Sequence, residues 1–155
     1  PLTNPAHAEF MVIGVPTEEL QNKIAVALMR MGIKHALVVH GKDGLDEITI
    51  TTKTFVSEFQ HEEIKSYEII PEDFAFKRAG LEDLKGGDAA YNAKILFGLL
   101  NGKSGPQRDI VILNSAAAIY AADQVKSVKE GIKLAQESID SGRALKKLEG
   151  LKEYS

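Results

Sequence analysis

The run His40-Gly41-Lys42-Asp43-Gly44-Leu45-Asp46-Glu47 concentrates the residue types best suited to chemistry, with three carboxylates inside five positions and two glycines among them. Clustered carboxylates repel one another unless a hard cation lies between them, and Mg2+ is commonly held by one or two carboxylates together with substrate phosphates. The run follows an apolar, strand-like segment, and open α/β sheets place their ligands beyond the carboxyl ends of strands. Asp46 and Glu47 could then share one cation, with a geometric objection. As neighbours in an extended chain they would point to opposite faces, so the backbone must bend there, and Gly44 permits a bend. Asp43 reads as a turn residue whose replacement by Asn should be nearly silent. On composition alone, the run is better explained as a solvated acidic turn between strands.

Other candidates carry less. Gly86-Gly87-Asp88 precedes a helical pattern, and the free N–H groups of a helix N-terminus attract phosphate. Asp88 would repel such an anion, so it is expected to cap the helix instead. His35 opens a strand, His61 stands beside Glu62-Glu63, and His7 lies near the start. None of them has a partner at metal-ligand spacing. His40 abuts the acidic run and is the histidine to test. Ser115 lacks the flanking glycines of a nucleophile elbow and reads as a helix-packing residue, while Lys146-Lys147 read as a solvated face. No side chain is assigned as a catalytic nucleophile, and substrate-binding residues stay unassigned.

The elements around these residues follow from periodicity. Glu9 to Val15 is a short apolar run ended by Pro16, which predicts a buried strand. Thr17 then begins a helix with Leu20, Ile24, Ala27, Leu28 and Met31 on one face and Gly32 just past its end. His35 to His40 is a second apolar strand, so strand, helix and strand form a βαβ unit with parallel strands. Ile48 to Thr51 alternates strictly, and Phe55, Val56, Tyr67, Ile69 and Ile70 continue a β-like pattern that suits antiparallel strands. Pro71-Glu72-Asp73 resembles a first helical turn. Beyond it lie a helix from Asp88 with the apolar face Ala89, Ala93, Leu96, Phe97 and Leu100, and an almost wholly apolar helix from Asp109 to Ala122. A stripe of Val128, Ile132, Ala135 and Ile139 gives a further helix, and Arg143 to Leu151 a basic-faced tail helix.

The whole chain excludes several classes. It has 155 residues, 44% hydrophobic and 26% charged, which matches an ordinary globular domain rather than a disordered or fibrous one. The absence of cysteine excludes a disulfide scaffold, a thiolate metal site and a cysteine nucleophile. A net charge of -3 gives no reason to expect nucleic acid as a partner. The longest apolar stretch, Ile110 to Ala122, is interrupted by Asn114 and Ser115 and falls short of the roughly 20 residues that span a bilayer. Nothing has the form of a signal peptide. The expectation is one soluble, cytoplasmic α/β domain over residues 1–155, built on a mixed, mostly parallel sheet with flanking helices and bound to no membrane.

Four segments occur together in a distinctive order: Pro1-Leu2-Thr3-Asn4-Pro5-Ala6, the acidic run at 40–47, Gly86-Gly87-Asp88-Ala89-Ala90-Tyr91-Asn92-Ala93, and Arg108 through Ala118. With the closing Ile139-Asp140-Ser141-Gly142-Arg143-Ala144, they resemble the C-terminal half of the anthranilate phosphoribosyltransferases, across the full length of this chain. The resemblance implies a nucleoside phosphorylase-like fold and the step of tryptophan biosynthesis that joins phosphoribosyl pyrophosphate to anthranilate. It implies Mg2+ as cofactor, with Asp46 and Glu47 as metal ligands. The family's Gly-Thr-Gly-Gly-Asp pyrophosphate loop, a serine metal ligand, basic residues near the phosphates and an anthranilate-binding arginine lie upstream of the matching region. The N-terminal helical domain through which family members form homodimers lies there too. The chain, which starts at Pro1, is thus expected to be a fragment without turnover of its own.

In the reaction the resemblance implies, pyrophosphate leaves C1 of the ribose as positive charge develops there, and the amino nitrogen of anthranilate takes its place. The metal neutralises the departing charge, and no nucleophilic side chain is needed. Two other readings stand beside this one. A pyrimidine nucleoside phosphorylase-like enzyme shares the fold, although the Asp43-Gly44-Leu45-Asp46-Glu47 sequence argues against it. A non-catalytic folded fragment or binding module is the reading from another class.

Overall fold

The computed structural model describes residues 7–154. The Pro1–Ala6 segment of the resemblance lies outside the described residues. Strand β1 (Phe10–Gly14), helix α1 (Glu18–Arg30) and strand β2 (His35–Gly41) form the expected βαβ unit, with Phe10 paired to His35 and Gly14 to Val39 in parallel register. Thr17 precedes α1 without a side-chain capping bond, and Glu18 and Glu19 place negative charge at the helix's positive end. Gly32 takes a φ of +80° just past the helix, a conformation that glycine adopts without steric cost.

Strands β3 (Thr54–Gln60) and β4 (Glu63–Ile69) extend the sheet in the order β1-β2-β3-β4. Both added pairings are antiparallel, so the sheet is mixed as expected, with its balance antiparallel rather than mostly parallel. The alternation in the middle third of the sequence already pointed that way. Alternation at Ile48 to Thr51 misled, however: these residues form an irregular segment between β2 and β3. Ile48, Thr49 and Ile50 are all buried there, because the isoleucines enter the core while the threonine hydroxyls bond to a carboxylate. After β4, Pro71–Phe74 makes only a short 3-10 turn, closed by a bond from Ile70 N–H to Asp73 Oδ2 at 3.0 Å.

Helices cover both faces of the sheet. Ala36 and Val38 meet Ala25 and Leu28 of α1 on one side, with Val15 and Ile33. Leu37, Val39 and Val56 meet Ile48, Ile50 and three residues of the helix Pro106–Ala121, namely Leu113, Ala117 and Ala121, on the other. The remaining elements are α2 (Ala89–Leu100), α3 (Pro106–Ala121), α4 (Val128–Asp140) and α5 (Arg143–Lys152). Helix α4 approaches α3 so closely that a Cβ on Gly131 would lie 2.6 Å from the Ala116 carbonyl oxygen. The apolar face expected for α2 is a correction. Ala89, Ala93, Leu96 and Phe97 are exposed and Leu99 is the buried residue, packed with Ile112, Ala116 and Ile132. A helix apolar nearly all round gives periodicity no face to select. No helix among the described residues is long and apolar enough to cross a membrane.

Candidate functional site

Strand β2 ends in a turn that bonds to itself. Gly44 N–H donates to the Gly41 carbonyl at 2.9 Å, and Gly41 N–H donates to the Leu45 carbonyl at 2.8 Å. Gly44 takes a φ of +94°, which any other residue would adopt only with strain. Asp43 is the carboxylate that organises this turn. Its Oδ1 accepts from Leu45 N–H at 3.2 Å, and its Oδ2 accepts from the Thr49 hydroxyl at 2.6 Å and from the Thr51 hydroxyl. Burial alone would raise the Asp43 pKa, but these donors outweigh it and hold the carboxyl below its usual range. A near-silent turn residue does not describe it: Asp43 ties the two ends of the irregular segment together.

Beyond this turn the chain passes over the end of β1. A Cβ on Gly14, the last residue of β1, would overlap the backbone carbonyl of Asp46. Glycine at that position thus lets the acidic segment lie directly on the carboxyl end of the parallel pair. The segment is gripped from below by Asn114 of α3, whose Oδ1 accepts from Ile48 N–H at 3.0 Å while its Nδ2 donates to the Ile48 carbonyl at 2.8 Å. A further bond from Nδ2 to the Ile110 carbonyl at 3.0 Å fixes the side chain against its own helix.

Between these two anchorages sit Asp46 and Glu47, both exposed. Partial shielding from water and then the charge of Asp46 raise the pKa of Glu47 above its ordinary value. The smaller of these two effects is the repulsion between neighbouring carboxylates. Among the described residues, no Lys, Arg or His side chain bonds to either, and no group of three or more His, Asp or Glu gathers to hold a metal by itself. Two hard oxygen donors held on a fixed turn suit Mg2+, which keeps several positions for water and substrate oxygens.

His40 abuts this turn, as its place in the sequence suggested. Its Nδ1–H donates to the Val15 carbonyl at 2.9 Å, and its ring stacks on Phe55 at 6.4 Å. It fastens the β1–α1 connection to the sheet, and among the described residues no hydrogen bond or ion pair joins it to Asp46 or Glu47. Gly86-Gly87-Asp88 is a cap, as expected. Asp88 Oδ1 accepts from Tyr91 N–H at 2.8 Å, and Asn92 bonds to both backbone groups of Gly87. Sequence reasoning passed over Asn114, Thr49 and Thr51. The available signal for Asn114 was an amide inside an apolar helix, because a buried amide requires partners.

Residues 1–145 match the model of the glycosyl transferase family, a/b domain. The chain is 50% identical over 155 residues to the anthranilate phosphoribosyltransferase of Acetivibrio thermocellus, covering 100% of this chain and 45% of that protein. The crystal structure of anthranilate phosphoribosyltransferase from Thermus thermophilus superposes with a TM-score of 0.86 at 41% identity, covering 96% of this chain and 44% of that one. The Saccharomyces cerevisiae enzyme in complex with PRPP and Mg superposes with a TM-score of 0.81 at 31% identity, covering 89% and 40%. The chain thus spans about half the length of the relatives it matches.

Proposed function

The chain belongs to the glycosyl transferase family, a/b domain, and on that premise we propose that it forms the acidic-loop part of an anthranilate phosphoribosyltransferase, with Asp46 and Glu47 as ligands for Mg2+. Residues 1–155 are read as one α/β domain of that enzyme. Its substrates are phosphoribosyl pyrophosphate and anthranilate, and the whole enzyme works in the cytoplasm as a pair of identical chains. The observation that carries the metal assignment is the exposed, un-neutralised Asp46–Glu47 pair on a segment anchored from both sides.

The chemistry asks little of side chains as reactants. The amino nitrogen of anthranilate is the nucleophile, C1 of the ribose is the electrophile, and the C1–O bond to pyrophosphate breaks. A bound Mg2+ supplies neutralisation of the charge that accumulates on the leaving oxygens. Asp46 and Glu47 would supply the carboxylate oxygens that hold that ion. Asp43, through Thr49 and Thr51, and Asn114, through Ile48, keep those two carboxylates from swinging with the loop. Such preorganisation matters because donors and charges fixed before the reaction cost no reorganisation during it.

The test is a fluorescence assay of anthranilate consumption by the full-length polypeptide carrying this chain, with phosphoribosyl pyrophosphate and Mg2+ supplied. Consumption that requires both supports the assignment. No consumption, or consumption indifferent to Mg2+, overturns it. For the metal ligands alone, addition of Mg2+ to the chain should shift the backbone amide resonances of Leu45 to Ile48, and Asp46→Asn should abolish that shift.

A further inference from the structure

A second titratable cluster lies at the end of β2 remote from the acidic turn. His35 has no solvent exposure. Its Nδ1 is 2.8 Å from Asp123 Oδ1, and its Nε2 is 3.1 Å from Glu58 Oε1. Ionised carboxylates only accept, so an imidazole that carries its proton can donate to both at once, while Gln60 Nε2 stands 3.3 Å from the same Nδ1. Glu58 is further bonded by Tyr120 OH at 2.6 Å and Tyr67 OH at 2.8 Å, and Asp123 by Gln60 Nε2 at 3.0 Å. The ring of Tyr120 meets that of His35 edge-on at 4.9 Å. One imidazole thus joins β2 to β3 and to the turn between α3 and α4, where Asp123 holds a φ of +54°.

We propose that His35 is a proton-operated latch: its imidazolium pins the α3–α4 turn to the sheet through Asp123, and loss of the proton frees that turn. Burial by itself opposes the charged ring, but the bonds to Glu58 and Asp123 and the charges of both carboxylates outweigh it and raise the His35 pKa above 6.5. The lysines next to the cluster in the fold are engaged elsewhere: Lys65, opposite Glu58 in β4, with Glu63 at 3.3 Å, and Lys34, the residue before His35, with Glu9 at 2.9 Å.

The partner that leaves is decided by exposure. A neutral imidazole has one N–H and one lone pair, so it can satisfy only one of two carboxylates. The Glu58 side chain is 12% exposed and accepts from two tyrosine hydroxyls, so releasing it would break a network in which water has little access to the carboxylate. The Asp123 side chain is 48% exposed and water can take it at once. The remaining N–H therefore stays on Glu58, and the lone pair on Nδ1 accepts from Gln60 Nε2, 3.3 Å away, in place of donating to Asp123. The latch opens on the α3–α4 side, whatever reaction the chain serves.

The test is a pH titration of the His35 imidazole by NMR, in the wild-type chain and in Asp123→Asn. Asn also tolerates positive φ, and the site is on a half-exposed turn, so the variant should fold. In the wild type the imidazole should titrate above 6.5, and the backbone amides of Asp123 and Gln124 should move with the same midpoint. In Asp123→Asn the midpoint should fall, and those amides should no longer follow it. A wild-type midpoint at or below 6.5 would overturn the latch. So would turn amides that ignore the titration, co-titration of the Tyr67 resonances in their place, or an Asp123→Asn midpoint equal to the wild type.

Discussion

Gly14 and Asp46 share one piece of space: the carbonyl of Asp46 lies where a Cβ on Gly14 would be. The end of β1 is therefore the floor of the candidate metal site, and the fit depends on a missing side chain. Gly14→Ala must push the acidic segment away from the sheet or shift the strand itself. Overpacking of this kind costs about 1–3 kcal/mol. The expected outcome is a lower melting temperature together with weaker Mg2+ binding. Unchanged Mg2+ affinity in a destabilised variant would separate the loop's position from metal binding.

Asp43→Asn is expected to destabilise the chain by about 1–3 kcal/mol, because an amide oxygen must replace a charged acceptor for the Thr49 and Thr51 hydroxyls and for Leu45 N–H. The pH dependence has a definite sign. Asp43 has a lowered folded pKa, so its contribution is present above its ordinary pKa of 3.8 and is lost as pH falls through the lower folded value. Urea unfolding of wild type and variant at pH 7 and at pH 3 measures this, and the gap between the two proteins should narrow at the lower pH.

Asp46→Asn and Glu47→Gln should behave in the opposite way. Both residues are exposed and their charges repel, so each substitution should leave stability within about 0.5 kcal/mol of the wild type. Activity of the full-length enzyme should fall nonetheless. Losing about 3 kcal/mol of leaving-group stabilisation lowers kcat/KM by roughly two orders of magnitude, and higher Mg2+ should restore part of it. Kinetics and magnesium dependence equal to the wild type would return the acidic segment to the status of a solvated turn.

Tyr67→Phe tests the buried carboxylate of the second cluster. Burial pushes the Glu58 pKa up, but His35, Tyr120 and Tyr67 together bring it down to about 2. Its contribution to stability is present above its ordinary pKa of 4.5 and is lost as pH falls toward about 2. Removing one hydroxyl donor should cost about 1 kcal/mol. It should also move the acid-unfolding midpoint to higher pH, which circular dichroism can follow.

The βαβ unit and the acidic turn were legible in the sequence because each rests on a local signal: an apolar run, a helical stripe ending at Gly32, or glycines beside carboxylates. The irregular path of Ile48 to Thr51 was not. Its alternation imitates a strand, and only the pairing of Asp43 with two threonines across the turn decides otherwise. The role of Asn114 depends on Ile48, 66 positions away, and no local pattern carries such a contact. His35 was discounted because ligand spacing was sought along the chain, whereas its partners Glu58 and Asp123 arrive from a neighbouring strand and a distant turn.

The bond between Asn114 and Ile48 also sets an order of events on the ribosome. At roughly 5–20 residues per second, the 66 positions between them take about 3–13 s to synthesise. In that interval the nascent chain already has Asp43, Thr49 and Thr51 and can close the turn locally. The outer grip on Ile48 arrives only with α3. The two carboxylates are thus made early and fixed late, and a translation product that stops before Asn114 carries the proposed ligands without their final placement.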